Sequence, residues 1–117
     1  MLSSAAEMSG ARMRRVNETI REVVGDAIAT ELKDPRIGFV TVTEVDTSTD
    51  LRTARVYVSV LGNEDERERS LAGLRSSHGV LQAKIASTMR LKRTPTLTFE
   101  YDESVERGDR ISRLLDQ

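Results

Sequence analysis

From Met13 the apolar residues Met13, Val16, Ile20, Val23, Val24, Ala27, Ile28 and Leu32 recur at intervals of mostly three and four, the stripe of an amphipathic helix that buries one face. Pro35 closes this stretch, because its ring disfavours a helical conformation in the preceding residue. From Gly38 to Val45 the period drops to two, with Val40 and Val42 on one face and Thr41 and Thr43 on the other, as in a half-buried strand. Asp46 to Asp50 is a run of turn formers. Beyond it Ala54, Val56, Val58 and Val60 alternate with Arg55, Tyr57 and Ser59, so the two strands are expected to pair as an antiparallel hairpin.

Gly62 and Asn63 break the second strand, and the acidic residues from Glu64 suit a helix N-terminus, where the macrodipole favours negative charge. Leu71 and Leu74 are expected to face inward. Ser76, Ser77, His78 and Gly79 are poor helix formers, after which Leu81, Ile85 and Met89 restart a helical stripe. Two helices meeting at a kink near Gly79 follow, and Gly79 is expected to matter there because a close junction often needs a residue without a β-carbon. Pro95 opens a third strand, in which Leu97, Phe99 and Tyr101 alternate with Thr96, Thr98 and Glu100. A short terminal helix through Ile111, Leu114 and Leu115 would be marginal alone. Residues 1–10 are small and polar without a period and are read as a disordered start; residues 11–117 are expected to form one domain. The order helix, strand, strand, helix, helix, strand describes an α+β fold with helices on one face of a three-stranded sheet.

Charge changes the picture more than composition does. The net charge of −1 gives no general attraction for a polyanion, so any nucleic acid must meet a local patch. Lys84 to Arg93 holds four basic residues and no acidic one, and Arg12 to Arg21 holds four arginines against Glu18. Acidic residues concentrate at Glu64 to Glu68 and Glu100 to Asp109. Arg12, Arg14, Arg15, Lys84, Arg90, Lys92 and Arg93 are therefore the candidate phosphate contacts. With no Trp, two Phe and two Tyr, base stacking has little to work with, which favours contacts to the shape and backbone of structured RNA. Asp34-Pro35-Arg36 reads as a helix stop with a turn hydrogen bond, and Ser48 and Asp50 read as hairpin chemistry.

Catalytic chemistry finds little support. There is no cysteine and one histidine, His78, which is thin material for a nucleophilic triad or a metal site. No GxxxxGK[ST] or GxGxxG segment occurs. No enzyme activity, cofactor, metal or small-molecule substrate is expected. No apolar run approaches the roughly 18 residues that span a bilayer, so a cytoplasmic protein without membrane contact is expected.

The segments 15–20 (RVNETI), 33–45 (KDPRIGFVTVTEV), 54–60 (ARVYVSV), 89–104 (MRLKRTPTLTFEYDES) and 108–115 (GDRISRLL), in this order and spacing, resemble the ribosome-binding factor A family. The resemblance implies a KH-like fold of type II topology without the GxxG clamp usual in KH domains. It also implies an interhelical kink of Ala, any residue, Gly, matched here by Ser77, His78 and Gly79 with serine in the place of alanine. What the family implies for function is a monomeric, non-catalytic factor that binds the free or immature small (30S) ribosomal subunit and its 16S rRNA. It implies a part in late maturation and 5′-end processing of that RNA, and in cold adaptation. The alternative from the residues themselves is a protein-interaction adaptor in which the acidic segment Glu100 to Asp109 meets a basic partner.

Overall fold

The computed structural model describes the backbone of residues 2–104 and the side chains of residues 10–104. Helix α1 (Leu2–Thr30) is followed by strands β1 (Phe39–Thr47) and β2 (Thr53–Leu61), helices α2 (Glu64–Ser76) and α3 (His78–Thr88), and strand β3 (Thr96–Tyr101). This is the element order of the KH-like domain implied by the resemblance. The terminal helix expected through Ile111, Leu114 and Leu115 lies outside the described residues.

The stripe of α1 does what its spacing predicts: Val16, Ile20, Val24, Ala27 and Ile28 are buried. The helix begins at Leu2, so the backbone is helical over most of the stretch read as a disordered start. A missing hydrophobic period does not forbid a helix, and Leu2, Ala5, Ala6, Glu7 and Met8 are good helix formers. At the other end the amides of Glu31 and Leu32 still donate to the Ala27 carbonyl, at 2.8 and 3.2 Å, before Pro35 forces the chain away.

The sheet has the order β1-β2-β3. β1 and β2 are antiparallel from Phe39↔Leu61 to Thr47↔Ala54, while β2 and β3 are parallel from Thr53↔Thr96 to Val58↔Tyr101. A parallel pair needs a long crossover, which α2 and α3 supply. Val42, Val45, Ala54, Val56, Val58, Val60, Leu97 and Phe99 face the helices and close one core with Leu71, Leu74, Leu81 and Ile85.

β1 departs from simple alternation. Its register shifts between Val42 and Glu44, so Thr43 is the extra residue of a bulge and both Val42 and Val45 are buried. Uninterrupted alternation would have put Val45 in solvent. The hairpin turn is wired as its residue types suggest. The Ser48 amide donates to the Thr53 carbonyl at 2.9 Å, the Ser48 hydroxyl donates to Asp50 Oδ1 at 2.7 Å, and the same carboxylate oxygen accepts the Arg52 amide at 3.0 Å. Leu51 takes the left-handed conformation, φ 61°.

The segment between α1 and β1 is clamped to α2. Asp34 Oδ1 accepts the Arg36 amide at 2.9 Å, and Arg36 Nη2 meets Asp34 Oδ2 at 2.7 Å, as the turn reading anticipated. The guanidinium holds the pKa of the Asp34 carboxyl down at about 2. The buried Ser70 hydroxyl accepts the Gly38 amide at 3.0 Å, while a β-carbon on Gly73 would lie 2.6 Å from Ile37 Cγ1. Glycine is thus required at position 73, where the loop presses against α2.

Candidate nucleic-acid interface

The helix junction turns at Ser77 and leaves open space around the glycine that the sequence suggested. Ser77, φ −95° and ψ 7°, separates α2 from α3. Its amide reaches the carbonyls of Gly73 and Leu74 at 3.1 and 3.0 Å, and its own carbonyl accepts the Leu81 amide. His78 Nδ1 donates to the Arg75 carbonyl at 2.8 Å. Gly79 has an ordinary backbone, and a β-carbon there would meet nothing within 4 Å. The expectation that the junction needs a glycine at position 79 is therefore corrected: the two helices turn through the Ser77 dihedrals and do not approach each other at Gly79. The close approach belongs to Gly73, six residues earlier, and it is made with Ile37 of the segment before β1 rather than between the two helices.

The kink opens onto the edge of β3. A groove there is lined by Arg75, His78 and the residues from Thr96 to Glu100. Arg75 Nη2 donates to the Phe99 carbonyl at 3.1 Å, and Gln82 Oε1 accepts the Leu97 amide at 3.2 Å. Two backbone groups on the open edge are thus held by side chains of the kinked helices. Sequence reading passed over Arg75; its place in the last turn before the kink, where a cation suits the helix dipole, was the available signal.

The basic run divides. α3 ends at Thr88, so Arg90, Lys92 and Arg93 lie on the loop to β3. Met89 and Leu91 pack against the core, Pro95 is buried, and Arg90, Lys92 and Arg93 are exposed between them. Lys84 is different: its Nζ lies 2.7 Å from Glu31 Oε1. The run was expected to be uncompensated from Lys84 onward, and Lys84 has to be removed from that description because Glu31, just past the end of α1 and distant in sequence, brings an acid to it.

Two hydrogen bonds bring the other cations to one end of the sheet. Asn17 Oδ1 accepts the Thr47 amide at 2.9 Å, which fixes the arginine-rich part of α1 beside the last residue of β1. The Thr96 amide donates to the Arg52 carbonyl at 2.9 Å, which fixes the start of β3, just after Arg93, beside the hairpin turn. Thr47 pairs with Ala54, and Ala54 with Leu97, so the two outer strands end about 10 Å apart, two strand spacings. Arg12, Arg14 and Arg15 within two turns of Asn17, and Arg90, Lys92 and Arg93 before Thr96, approach this hairpin end from its two sides. All six are exposed, and none has an ion-pair partner among the described residues. Lys84 stands apart, opposite Glu31, roughly 21 Å along α1 from Asn17.

The family profile of ribosome-binding factor A matches residues 12–115. The chain belongs to the ribosome-binding factor A family. A curated member from Natranaerobius thermophilus is 43% identical over 110 residues, covering 94% of this chain and 84% of the relative. The crystal structure of ribosome-binding factor A from Thermus thermophilus is 28% identical, covers 76% of this chain and 94% of its own, and superposes with a TM-score of 0.68. Coordinates of the Thermus thermophilus factor fitted into the cryo-EM map of a 30S–RbfA complex are 29% identical over 74% of this chain and 91% of theirs, with a TM-score of 0.62. Members of this family are binding and assembly factors, and the arrangement here suits binding: exposed cations on a rigid frame, with the single histidine engaged by a backbone carbonyl. Among the described residues no group of three or more His, Asp or Glu is placed to hold a metal, and no helix is long and apolar enough to cross a membrane.

Proposed function

We propose that this chain binds the small ribosomal subunit by gripping the phosphate backbone of 16S rRNA with the cations at the hairpin end of its sheet, and that it acts in the cytoplasm in late maturation of that subunit, including processing of the RNA 5′ end. The observation that carries the reading is the convergence of Arg12, Arg14 and Arg15 with Arg90, Lys92 and Arg93, none of which has an ion-pair partner among the described residues. A chain of net charge −1 attracts RNA only through such a patch. The relative seen in a 30S complex supports the choice of subunit. The groove beside the kink adds Arg75 and His78 to the same side of β3.

Such a binder favours the RNA conformation that sets phosphates against its cations and dissociates as maturation removes it, because a ligand shifts an equilibrium only by its differential affinity for the two states. Slow escape of misfolded RNA at low temperature would make the factor matter most in the cold.

Replacing Arg90, Lys92 and Arg93 with glutamine tests the reading. Affinity for purified small subunits and for protein-free 16S rRNA should fall together, and the slope of log affinity against log salt should flatten by roughly one unit per lost phosphate contact. A variant that binds with unchanged slope would move the interface elsewhere. A strain lacking the protein should accumulate 16S precursor with an unprocessed 5′ end, and normal processing in the cold would exclude the maturation role.

A further inference from the structure

The two margins of the sheet are finished differently. β1, at one margin, breaks its register at Thr43, and the amide of its last residue, Thr47, is taken by Asn17. β3, at the other margin, keeps a regular register with β2 from Thr96 to Tyr101. Its sequence, TLTFEY, is β-prone, has Glu100 as its one charge and contains neither proline nor glycine, which is the composition of segments that pair with copies of themselves. The strand carries none of the lysines, prolines or bulges that blunt an exposed edge.

The backbone groups that such an edge would offer are identifiable. The Thr96 and Asp102 amides donate inward, to the carbonyls of Arg52 and Val58, at 2.9 and 2.8 Å. Successive residues of a strand turn their amides and carbonyls to opposite sides, so Leu97, Phe99 and Tyr101 direct theirs away from β2. Two of these outward groups are met by side chains of the kinked helices. Gln82 Oε1 accepts the Leu97 amide at 3.2 Å, and Arg75 Nη2 donates to the Phe99 carbonyl at 3.1 Å. Leu97 and Phe99 are 5% and 2% exposed, so this margin is covered although no strand lies beside it. One side chain accepts and the other donates, as the carbonyl and the amide of an added strand would.

We infer that Arg75 and Gln82 seal the outer edge of β3, holding the place of a neighbouring strand, and that the occupant they exclude is β3 of a second copy of this chain. An antiparallel pair of β3 edges is its own complement, the self-complementary contact of a two-fold dimer. Centred on Phe99, it sets Leu97 opposite Tyr101 and Thr98 opposite Glu100, so no carboxylate faces another across the pair. The two arms of the seal come from different helices, on either side of the turn at Ser77, and meet on neighbouring outward residues of one strand. The inference is independent of RNA binding, since it uses none of the cations at the hairpin end.

The test is sedimentation velocity of the full chain over a wide range of loading concentration. The parent should remain monomeric, whereas Arg75→Met with Gln82→Met should form dimers with a dissociation constant on the order of 100 µM, as suits a contact one strand wide. Arg75→Lys with Gln82→Glu keeps a donor and an acceptor at these places and should stay monomeric like the parent. A double methionine variant that stays monomeric over the same range overturns the inference, and so does a parent that dimerises to the same extent. If circular dichroism shows the double variant unfolded, Gln82→Met alone decides: it removes one hydrogen bond, and self-association no stronger than the parent's overturns the inference equally. Hydrogen exchange places the contact. The Phe99 and Tyr101 amides should exchange more slowly in the dimer than in the parent, and a dimer that leaves both unchanged is formed elsewhere and defeats the assignment.

Discussion

The two ends of the sheet lie roughly 27 Å apart along the strands, and they are built on opposite principles. At the hairpin end, exposed cations stand on a loop and a helix beside the turn, and their side chains contribute little to the fold. At the α2 end the loop before β1 is pressed into α2 through Ser70 and Gly73, so packing and hydrogen bonding fix the backbone that displays Phe39. Affinity for a polyanion needs charges in solvent, whereas a shape-specific contact needs a frame that does not yield. The same small domain keeps its exposed cations at one end of β2 and its tightest packing at the other.

This contrast makes substitutions at the α2 end costly to stability and nearly silent toward protein-free RNA. The largest effect is expected for Gly73→Val: its β-carbon would overlap Ile37, and overpacking of this kind costs about 2–3 kcal/mol, which a lower midpoint in urea unfolding would register. A midpoint unchanged from the parent would show that the loop can move away from α2. Ser70→Ala comes next. It removes the acceptor of the Gly38 amide in a buried setting, at a cost of about 1–2 kcal/mol, with RNA affinity retained if the two ends are independent.

Gly79→Ala should act in the other direction. With nothing within 4 Å of the new β-carbon, alanine is expected to stabilise α3 by up to about 1 kcal/mol through helix propensity; thermal denaturation showing a loss instead would restore the idea of a close junction. Lys84→Gln, whose partner is Glu31, should flatten the salt dependence of RNA binding far less than any one of Arg90, Lys92 or Arg93, and an equal change would return Lys84 to the interface.

The smallest effect concerns pH. The pKa of Asp34 is held at about 2 by Arg36, below the ordinary carboxylate value near 4. A depressed value in the folded state means that the pair stabilises the fold above about pH 4 and that this stabilisation is lost as pH falls through about 2. Asp34→Asn should thus be less stable than the parent at neutral pH, with the gap closing between about pH 4 and 2. A gap independent of pH would assign the stabilisation to the turn hydrogen bond alone.

What could be read from the chain alone is what depends on neighbours along it. Three-and-four spacing in α1, two-residue alternation in β2 and β3, the turn residues Ser48 and Asp50, and the acidic first turn of α2 each state a local preference, and together they yield the element order and the fold class. The run of segments from Arg15 to Leu115 carried the family. Contacts between residues far apart in the chain had to wait for the folded molecule. The bulge at Thr43 turned Val45 inward because burial outweighed regular pairing. Glu31 took Lys84 out of the free cations across more than fifty positions. Asn17 and Arg52 brought two basic segments to the same sheet end. The glycine with a steric reason to be glycine proved to be Gly73 and not Gly79, since the space around a residue is set by what packs against it, which the spacing of its neighbours in sequence does not encode.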